Sequence, residues 1–205
     1  MFIEGLFRDP AGWVVQCAII VFSICCHEWS HARAALAFGD DTAAAAGHLS
    51  LNPLRQMGWM SLAMLAVCGL AWGQVPVSEG RMRGKWAGEW VAAAGPAMNL
   101  ALWAAFCIAF RAAFSTGAGE SWINGLYEGA IVNFALMLLN MLPLPGLDGG
   151  RVFLRWTGNW MRFLQGTGGF VVLIFLLLWG AQWLFGVAAW ATDGIVFIGI
   201  RSVPA

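Results

Sequence analysis

Apolar residues are concentrated in four long stretches of the sequence, at roughly 11–38, 87–114, 123–147 and 168–190. A membrane-crossing helix needs about 20 predominantly apolar residues, because each residue adds about 1.5 Å to its length. Each of the four stretches meets this requirement and predicts a transmembrane helix. The fold class that we expect is therefore an all-α polytopic membrane protein with about four to five transmembrane helices, the number depending on a shorter apolar stretch at 59–77.

That shorter stretch is interrupted before it reaches the length of a membrane span. Its continuous part runs for 14 residues from Trp59 to Trp72 and is followed by Gly73 and Pro76. Apolar segments of about 10–14 residues are more often re-entrant or interfacial than spanning. We therefore expect a re-entrant or short extended hairpin at about 59–77.

Composition supports a membrane protein and excludes several other classes. The chain is 60% hydrophobic and only 11% charged, whereas soluble domains are about 25% charged. Its 13 Trp suit positions at the lipid–water interface. Its 11 Lys and Arg balance 11 Asp and Glu, so we expect a lipid bilayer as partner and no nucleic acid. All five cysteines lie in apolar runs, which argues against a secreted disulfide scaffold.

The polar connections are too short to hold an inserted folded domain, and we expect one transmembrane domain over residues 1–205. Its catalytic core would occupy about 11–155, with a C-terminal transmembrane helix at about 168–190. The first ten residues carry Glu4, Arg8 and Asp9 rather than a basic region. A cleavable signal peptide is therefore not expected, and the first helix should remain in the mature protein.

The first long stretch contains ionisable residues near its C-terminal end. His27, Glu28 and His31 form an HExxH pattern, in which the two histidines project from the same face of a helix. Two imidazoles at this spacing can bind one Zn²⁺, with the glutamate as general base of a metalloprotease. The alternative is a pair of helix-interface histidines satisfied by hydrogen bonds. An almost uncharged membrane helix favours the functional interpretation, because ionisable groups there are costly.

A catalytic zinc site needs a third protein ligand, and Asp148 is the strongest candidate. It follows the apolar stretch at 123–147 within a segment rich in proline and glycine. Such broken backbone is tolerated at membrane depth only where it is buried in protein or lines a watery cavity. His48 is expected at the surface, and Asp40 and Asp41 are expected to be solvated at a helix end. The remaining weaker candidates, in or near the connections, are Glu79, Glu89, Glu120 and Glu128.

Three motifs in this order resemble those of site-2 proteases, which are intramembrane zinc metalloproteases. They are His27-Glu-Trp-Ser-His31, Ala94-Gly-Pro-Ala-Met-Asn99 and Asn140-Met-Leu-Pro-Leu-Pro-Gly-Leu-Asp148-Gly-Gly150. The stretches 47–54 and 74–77 also resemble the compact bacterial members that lack a PDZ domain, and the likeness covers about residues 15–155. The resemblance implies one zinc ion bound by His27, His31 and Asp148, with Glu28 as general base. It also implies that Asn140 positions the scissile carbonyl or its oxyanion.

If both HExxH and Asp148 bind one ion, the C-terminal ends of the first helix and the 123–147 helix must lie on the same side of the membrane. Treating 59–77 as a hairpin leaves one span between these helices and makes them parallel. The metal side then carries eight basic residues and the opposite side two, Arg8 and Arg111. The eight are Arg33, Arg55, Arg81, Arg83, Lys85, Arg151, Arg155 and Arg162. Basic loops stay in the cytoplasm, so we expect a bacterial inner-membrane protein whose active site faces the cytoplasm.

The expected function is hydrolysis of peptide bonds in or near the transmembrane segments of single-span membrane proteins. One alternative is a zinc-bearing scaffold that binds membrane helices without cleaving them. Another is a metal transporter or a different membrane hydrolase built on HExxH. A transporter should carry further acids or histidines along a path through the membrane. We find no such path beyond the one cluster, because Glu89 and Glu128 lie near connections.

Overall fold

A computed structural model describes residues 2–153, 171 and 180–198, and this part of the chain is helical without β-strands. Within these described residues, one 3-10 turn occupies Glu79–Arg81. The α-helices are α1 (Glu4–Arg8), α2 (Pro10–Ala37), α3 (Thr42–Ala45), α4 (Pro53–Gln56), α5 (Gly58–Cys68), α6 (Ala87–Ser115), α7 (Glu120–Asn140), α8 (Asp148–Val152) and α9 (Ala181–Val196).

Three of these helices are long and apolar enough to cross a membrane. They are α2, α6 and α7, with 28, 29 and 21 residues, and they confirm the all-α polytopic prediction. The helix α7 ends at Asn140 rather than near 147, because Pro143 and Pro145 cannot continue a regular helix. Most of the predicted helix at 168–190 lies outside the described residues.

The helices α2 and α7 run in parallel, and α6 runs antiparallel to both. Along α2, the side chain of Val15 lies against Gly125, and Ser23 further on accepts a hydrogen bond from Asn133. The residue numbers at these two contacts increase together along α2 and α7, so the two helices run in the same direction. The order reverses on α6, where Ser30 of α2 bonds to Ala94 while His27 bonds to Asn99. This is the arrangement predicted from a single intervening span.

The segment 59–77 forms the predicted hairpin. Its helix α5 has 11 residues, and Gly69 ends it in the left-handed conformation with φ 74°, which glycine adopts without steric cost. The chain then returns beside the helix, where Ser61 Oγ donates to Trp72 O over 2.7 Å. At the open end, the amide of Gln74 donates to Gln56 O over 3.0 Å. The hairpin therefore begins and ends at the same level of the molecule.

Candidate metal centre

The two histidines of the HExxH motif lie side by side on α2. Both are buried, and their Nε2 atoms are 3.0 Å apart. The helix packs closely against α6 at this point, because Gly95 faces the two rings. A Cβ atom at that position would overlap both imidazoles, so only glycine allows α6 to approach this closely.

Asp148 is the first residue of α8 and points at the histidine pair. Its Oδ2 atom lies 3.0 Å from His27 Nε2 and 3.2 Å from His31 Nε2. The irregular chain from Met141 to Leu147 folds back tightly to place it there. A Cβ atom at Gly149 would overlap the carbonyl groups of Met141 and Leu142. The glycines after Asp148 are therefore required by the turn that positions the carboxylate.

These three side chains fit the ligand set of a zinc ion. Zinc prefers tetrahedral nitrogen, oxygen and sulfur ligands at about 2.0–2.1 Å for nitrogen and oxygen, and the edges of that tetrahedron are about 3.3 Å long. The three donor atoms of His27, His31 and Asp148 lie 3.0–3.2 Å apart. They form the single such cluster of three or more potential ligands among the residues that the structure describes. With three protein ligands, a tetrahedral zinc ion would keep a fourth position for water or substrate, as in catalytic zinc sites.

The carboxyl of Asp148 is ionised, as a metal ligand requires. In the absence of a metal ion, burial acts to raise its pKa, but hydrogen bonds donated by His27 and His31 and their electrostatic attraction outweigh burial and lower the pKa to about 2. The carboxylate therefore stays charged throughout the physiological pH range.

The outer nitrogens of both imidazoles are held by acceptors on α6. His31 Nδ1 donates to the backbone carbonyl of Val91 over 2.7 Å, and His27 Nδ1 donates to the side-chain oxygen of Asn99. Because these partners hold a proton on Nδ1, a bound metal ion would take the place of the proton on Nε2 and use the Nε2 lone pairs. Histidine ligands of metals are commonly oriented in this way.

A buried chain of polar side chains continues from Asn99 across the bundle. Asn99 Nδ2 donates to Asn133 Oδ1 on α7, and Asn133 Nδ2 donates to Ser23 Oγ on α2 and to Gly129 O. Asn99, Asn133 and Ser23 have no exposed surface. The resemblance singled out Asn99, but sequence analysis missed Asn133 and Ser23. Their polarity inside apolar helices is the signal that was available.

Glu28 lines the same cavity as the three clustered side chains. Its carboxyl group packs against Gly73 of the hairpin, where a Cβ atom would overlap it. The cavity has a volume of about 750 Å³ and is also lined by Asn140, Val75 and Val77. It is large enough for several residues of an extended peptide.

Asn140 is the last residue of α7, and its Nδ2 donates to Leu136 O over 3.0 Å. The structure places it on the wall of the cavity that contains His27, Glu28 and Asp148. Its role with substrate stays a prediction.

Two further sequence expectations concern residues outside the metal cluster. His48 is half-buried, and its Nδ1 lies 3.1 Å from Gln56 Oε1. The expectation that Asp40 is solvated is wrong, because its side chain has no exposed surface. Its carboxylate accepts hydrogen bonds from Thr42 and Ser78, and Ser78 is distant in sequence. The neighbouring Asp41 is exposed and pairs with Arg81, as a solvated residue at a helix end would.

Comparison with known proteins adds evidence from sequence similarity. No protein-family model and no solved structure matches the chain. It is 35% identical over 148 residues to "Putative zinc metalloprotease YwhC" of Bacillus subtilis, an alignment that covers 65% of this chain and 64% of that protein. It is 31% identical over 203 residues to "Putative zinc metalloprotease Rip2" of Mycolicibacterium smegmatis, covering 94% of this chain and 74% of the relative. The corresponding protein of Mycobacterium tuberculosis is 31% identical over 199 residues, covering 89% and 72%. The ordered motifs and this similarity over most of the chain show that it belongs to the site-2 protease family.

Proposed function

We propose that this protein is an intramembrane zinc endopeptidase that cleaves single-span membrane proteins in or near their transmembrane segments. The observation that carries the proposal is the position of the three-ligand cluster. His27, His31 and Asp148 converge beside Glu28 within a bundle of three apolar helices. A hydrolytic site at that depth is suited to substrates that are themselves embedded in the membrane.

The chemistry divides between one zinc ion and the side chains around it. A bound zinc ion supplies Lewis acidity, which lowers the pKa of a coordinated water toward about 7 and polarises the scissile carbonyl. Glu28 takes a proton from the attacking water and passes it to the leaving amine as the C–N bond breaks. Asn140 donates a hydrogen bond to the scissile carbonyl or its oxyanion from the wall of the cavity.

A substrate helix must unwind before cleavage, since its amides are hydrogen-bonded within the helix. The segment Gly73–Ser78 offers a partner for the unwound chain. Among the described residues, no hydrogen bond engages the backbone of Val75 or Val77, and both residues line the cavity. An extended peptide can add to such an open edge as a strand. We infer that the substrate backbone pairs with Val75 and Val77.

Replacing Val75 and Val77 together with proline is expected to lower cleavage by at least about tenfold. The change removes two amide donors from the open edge, each hydrogen bond contributing about 0.5–1.5 kcal/mol. Zinc content should stay at the wild-type level, since neither residue is a ligand. The measurement is product formation from a membrane-anchored substrate, with a Val75→Ala/Val77→Ala variant as control because it keeps both amides. Equal turnover in the proline and alanine variants would eliminate the strand hypothesis.

The proposed orientation places the metal side toward the cytoplasm of a bacterial cell, with the protein in the inner membrane. The metal side includes the C-terminal end of α2, both ends of the hairpin, and α8. These elements and the turn after the hairpin carry five basic residues, Arg33, Arg55, Arg81, Arg83 and Arg151. Two basic residues lie away from the metal side: Arg8 at the end of α1, and Arg111 near the C-terminal end of α6. A basic excess of this kind is typical of cytoplasmic loops.

Reconstitution into liposomes with a single-span substrate tests the proposed function directly. We expect cleavage at a bond in or near the substrate's transmembrane segment, loss of cleavage with 1,10-phenanthroline, and recovery when Zn²⁺ is added back. Mass spectrometry of the fragments locates the bond. Tight binding of an intact substrate would instead identify a scaffold. Zinc flux into the vesicles without cleavage would identify a transporter.

A further inference from the structure

A buried carboxylate outside the metal centre connects the end of α2 to the segment Gly73–Ser78. Asp40 lies three residues beyond α2, the helix that carries Glu28 and both histidine ligands. Its Oδ1 accepts hydrogen bonds from the amide and the hydroxyl of Thr42, and its Oδ2 accepts one from the amide of Ser78 over 2.6 Å. One oxygen of the Asp40 carboxylate therefore accepts its hydrogen bond from the segment that lines the cavity.

A hydrogen bond also attaches the opposite end of this segment to the protein. The amide of Gln74 donates to Gln56 O over 3.0 Å. Gln56 is itself almost fully buried, and its side-chain amide donates to His48 O and Ser50 O over 2.8 and 2.6 Å. The two amides that attach the segment to the protein therefore belong to Gln74 and Ser78, and both acceptors are buried.

The spacing of these two anchors determines which backbone groups remain available. In extended chain, the amides of successive residues point to alternate edges. Gln74 and Ser78 are four residues apart, so in extended chain they share one edge, which bonds to Gln56 of α4 and to Asp40 beyond α2. Pro76, between them, has no amide proton to leave unsatisfied on that edge. The amides of Val75 and Val77 then belong to the other edge.

We propose that Asp40 is a positioning residue for substrate, which holds Ser78 so that Val75 and Val77 present their backbone to the peptide beside Glu28. This inference rests on the proposed function, because it concerns how that same site takes up its substrate. Asp40 touches neither the metal ligands nor the cavity, so its effect is on substrate uptake rather than on the bond-breaking step.

The charge of Asp40 suits this task. Burial acts to raise its pKa, but the hydrogen bonds from Thr42 and Ser78 and the nearby Arg81 lower it below its ordinary value. The chain beyond Ser78 has its own attachments to the end of α2. Arg83 N donates to Phe38 O over 2.7 Å, and Arg81 pairs with Asp41. Loss of the Asp40 bond therefore releases the segment before Ser78 while the following turn stays docked.

The substitution Asp40→Asn tests the proposal in the full-length protein reconstituted with a membrane-anchored substrate. Asparagine has one acceptor oxygen, so its amide group must face either the Ser78 amide or the Thr42 donors. Hydrogen bonds to a charged group contribute about 1.5–3 kcal/mol, and we expect KM to rise by about tenfold or more. The value of kcat should change by less than about threefold, and zinc content should not change. Amide hydrogen exchange should accelerate at Ser78, whose amide donates to Asp40 in the wild type.

Two control variants separate this effect from general destabilisation. Thr42→Val removes one hydrogen bond to Asp40 but leaves the Ser78 bond, and Asp41→Ala removes the exposed partner of Arg81. Both should keep the wild-type KM. If Asp40→Asn does not fold, Gln74→Pro removes the other anchor and should raise KM in the same way.

Three outcomes would overturn the proposal. One is an unchanged KM in a variant whose Ser78 amide exchanges faster than in the wild type. Another is a loss confined to kcat or to zinc content, which would indicate a purely structural role. The third is an equal rise of KM in Thr42→Val. A wild-type protein that cleaves no membrane substrate would instead refute the proposed function, and the inference with it.

Discussion

Replacing Glu28 with glutamine is expected to reduce peptide hydrolysis by about 10²- to 10⁴-fold, the usual contribution of a general acid–base group. Glutamine has nearly the same shape as glutamate, so the contact with Gly73 is retained. It cannot accept the proton of the attacking water, and it has no acid to return to the leaving amine. Zinc content should stay at the wild-type level, because Glu28 is not among the three clustered ligands.

The matched control for this prediction is Glu79→Gln. Glu79 lines the same cavity but belongs to the 3-10 turn and is not one of the three clustered residues. It undergoes the same change of charge at the same cavity and should keep most of the activity. Cleavage assays in liposomes and metal analysis of each purified variant provide the two readouts. Wild-type turnover in Glu28→Gln would remove the assigned base, and loss of zinc in that variant would make it a ligand instead.

Replacing Asp148 with alanine is expected to remove both zinc and activity. The substitution deletes one of three protein ligands and leaves two neutral imidazoles whose Nε2 atoms are 3.0 Å apart. Loss of a group that merely orients a ligand costs about 10- to 100-fold in metal affinity, so the loss of the ligand itself should exceed about 100-fold. Competition with a chromophoric chelator measures the affinity.

The control for Asp148→Ala is Asp41→Ala, which deletes an exposed carboxylate on the same side of the protein. Its zinc affinity should equal that of the wild type. Far-UV circular dichroism should show the same helix content in both variants. If Asp148→Ala binds zinc as tightly as Asp41→Ala does, Asp148 is not a ligand.

Features encoded by local pattern were predictable from the sequence. The lengths of the apolar runs predicted α2, α6 and α7, and the interruption after Trp72 predicted the hairpin. The clustering of potential metal ligands was also predictable in part, because His27 and His31 are four residues apart and share one face of a helix. Asp148 followed from its unusual setting, a charged residue in broken backbone next to an apolar run.

Features that depend on distant partners could not be predicted. Asp40 follows Gly39 at a helix end, which is the ordinary setting of a solvated acid. It is buried because Ser78, 38 residues away, folds over it. Asn133 bonds to Ser23 across 110 residues, and its role follows only from the parallel packing of α2 and α7. Neither pairing leaves a periodic signal in the chain.

X-ray absorption at the zinc edge of the purified wild-type protein, beside Asp148→Ala, tests the central claim most directly. The account predicts one zinc per chain with two imidazole nitrogens and carboxylate oxygen at about 2.0–2.2 Å. It also predicts that this spectrum is lost in the variant. A sulfur ligand, a third imidazole, or an unaltered spectrum in Asp148→Ala would contradict it.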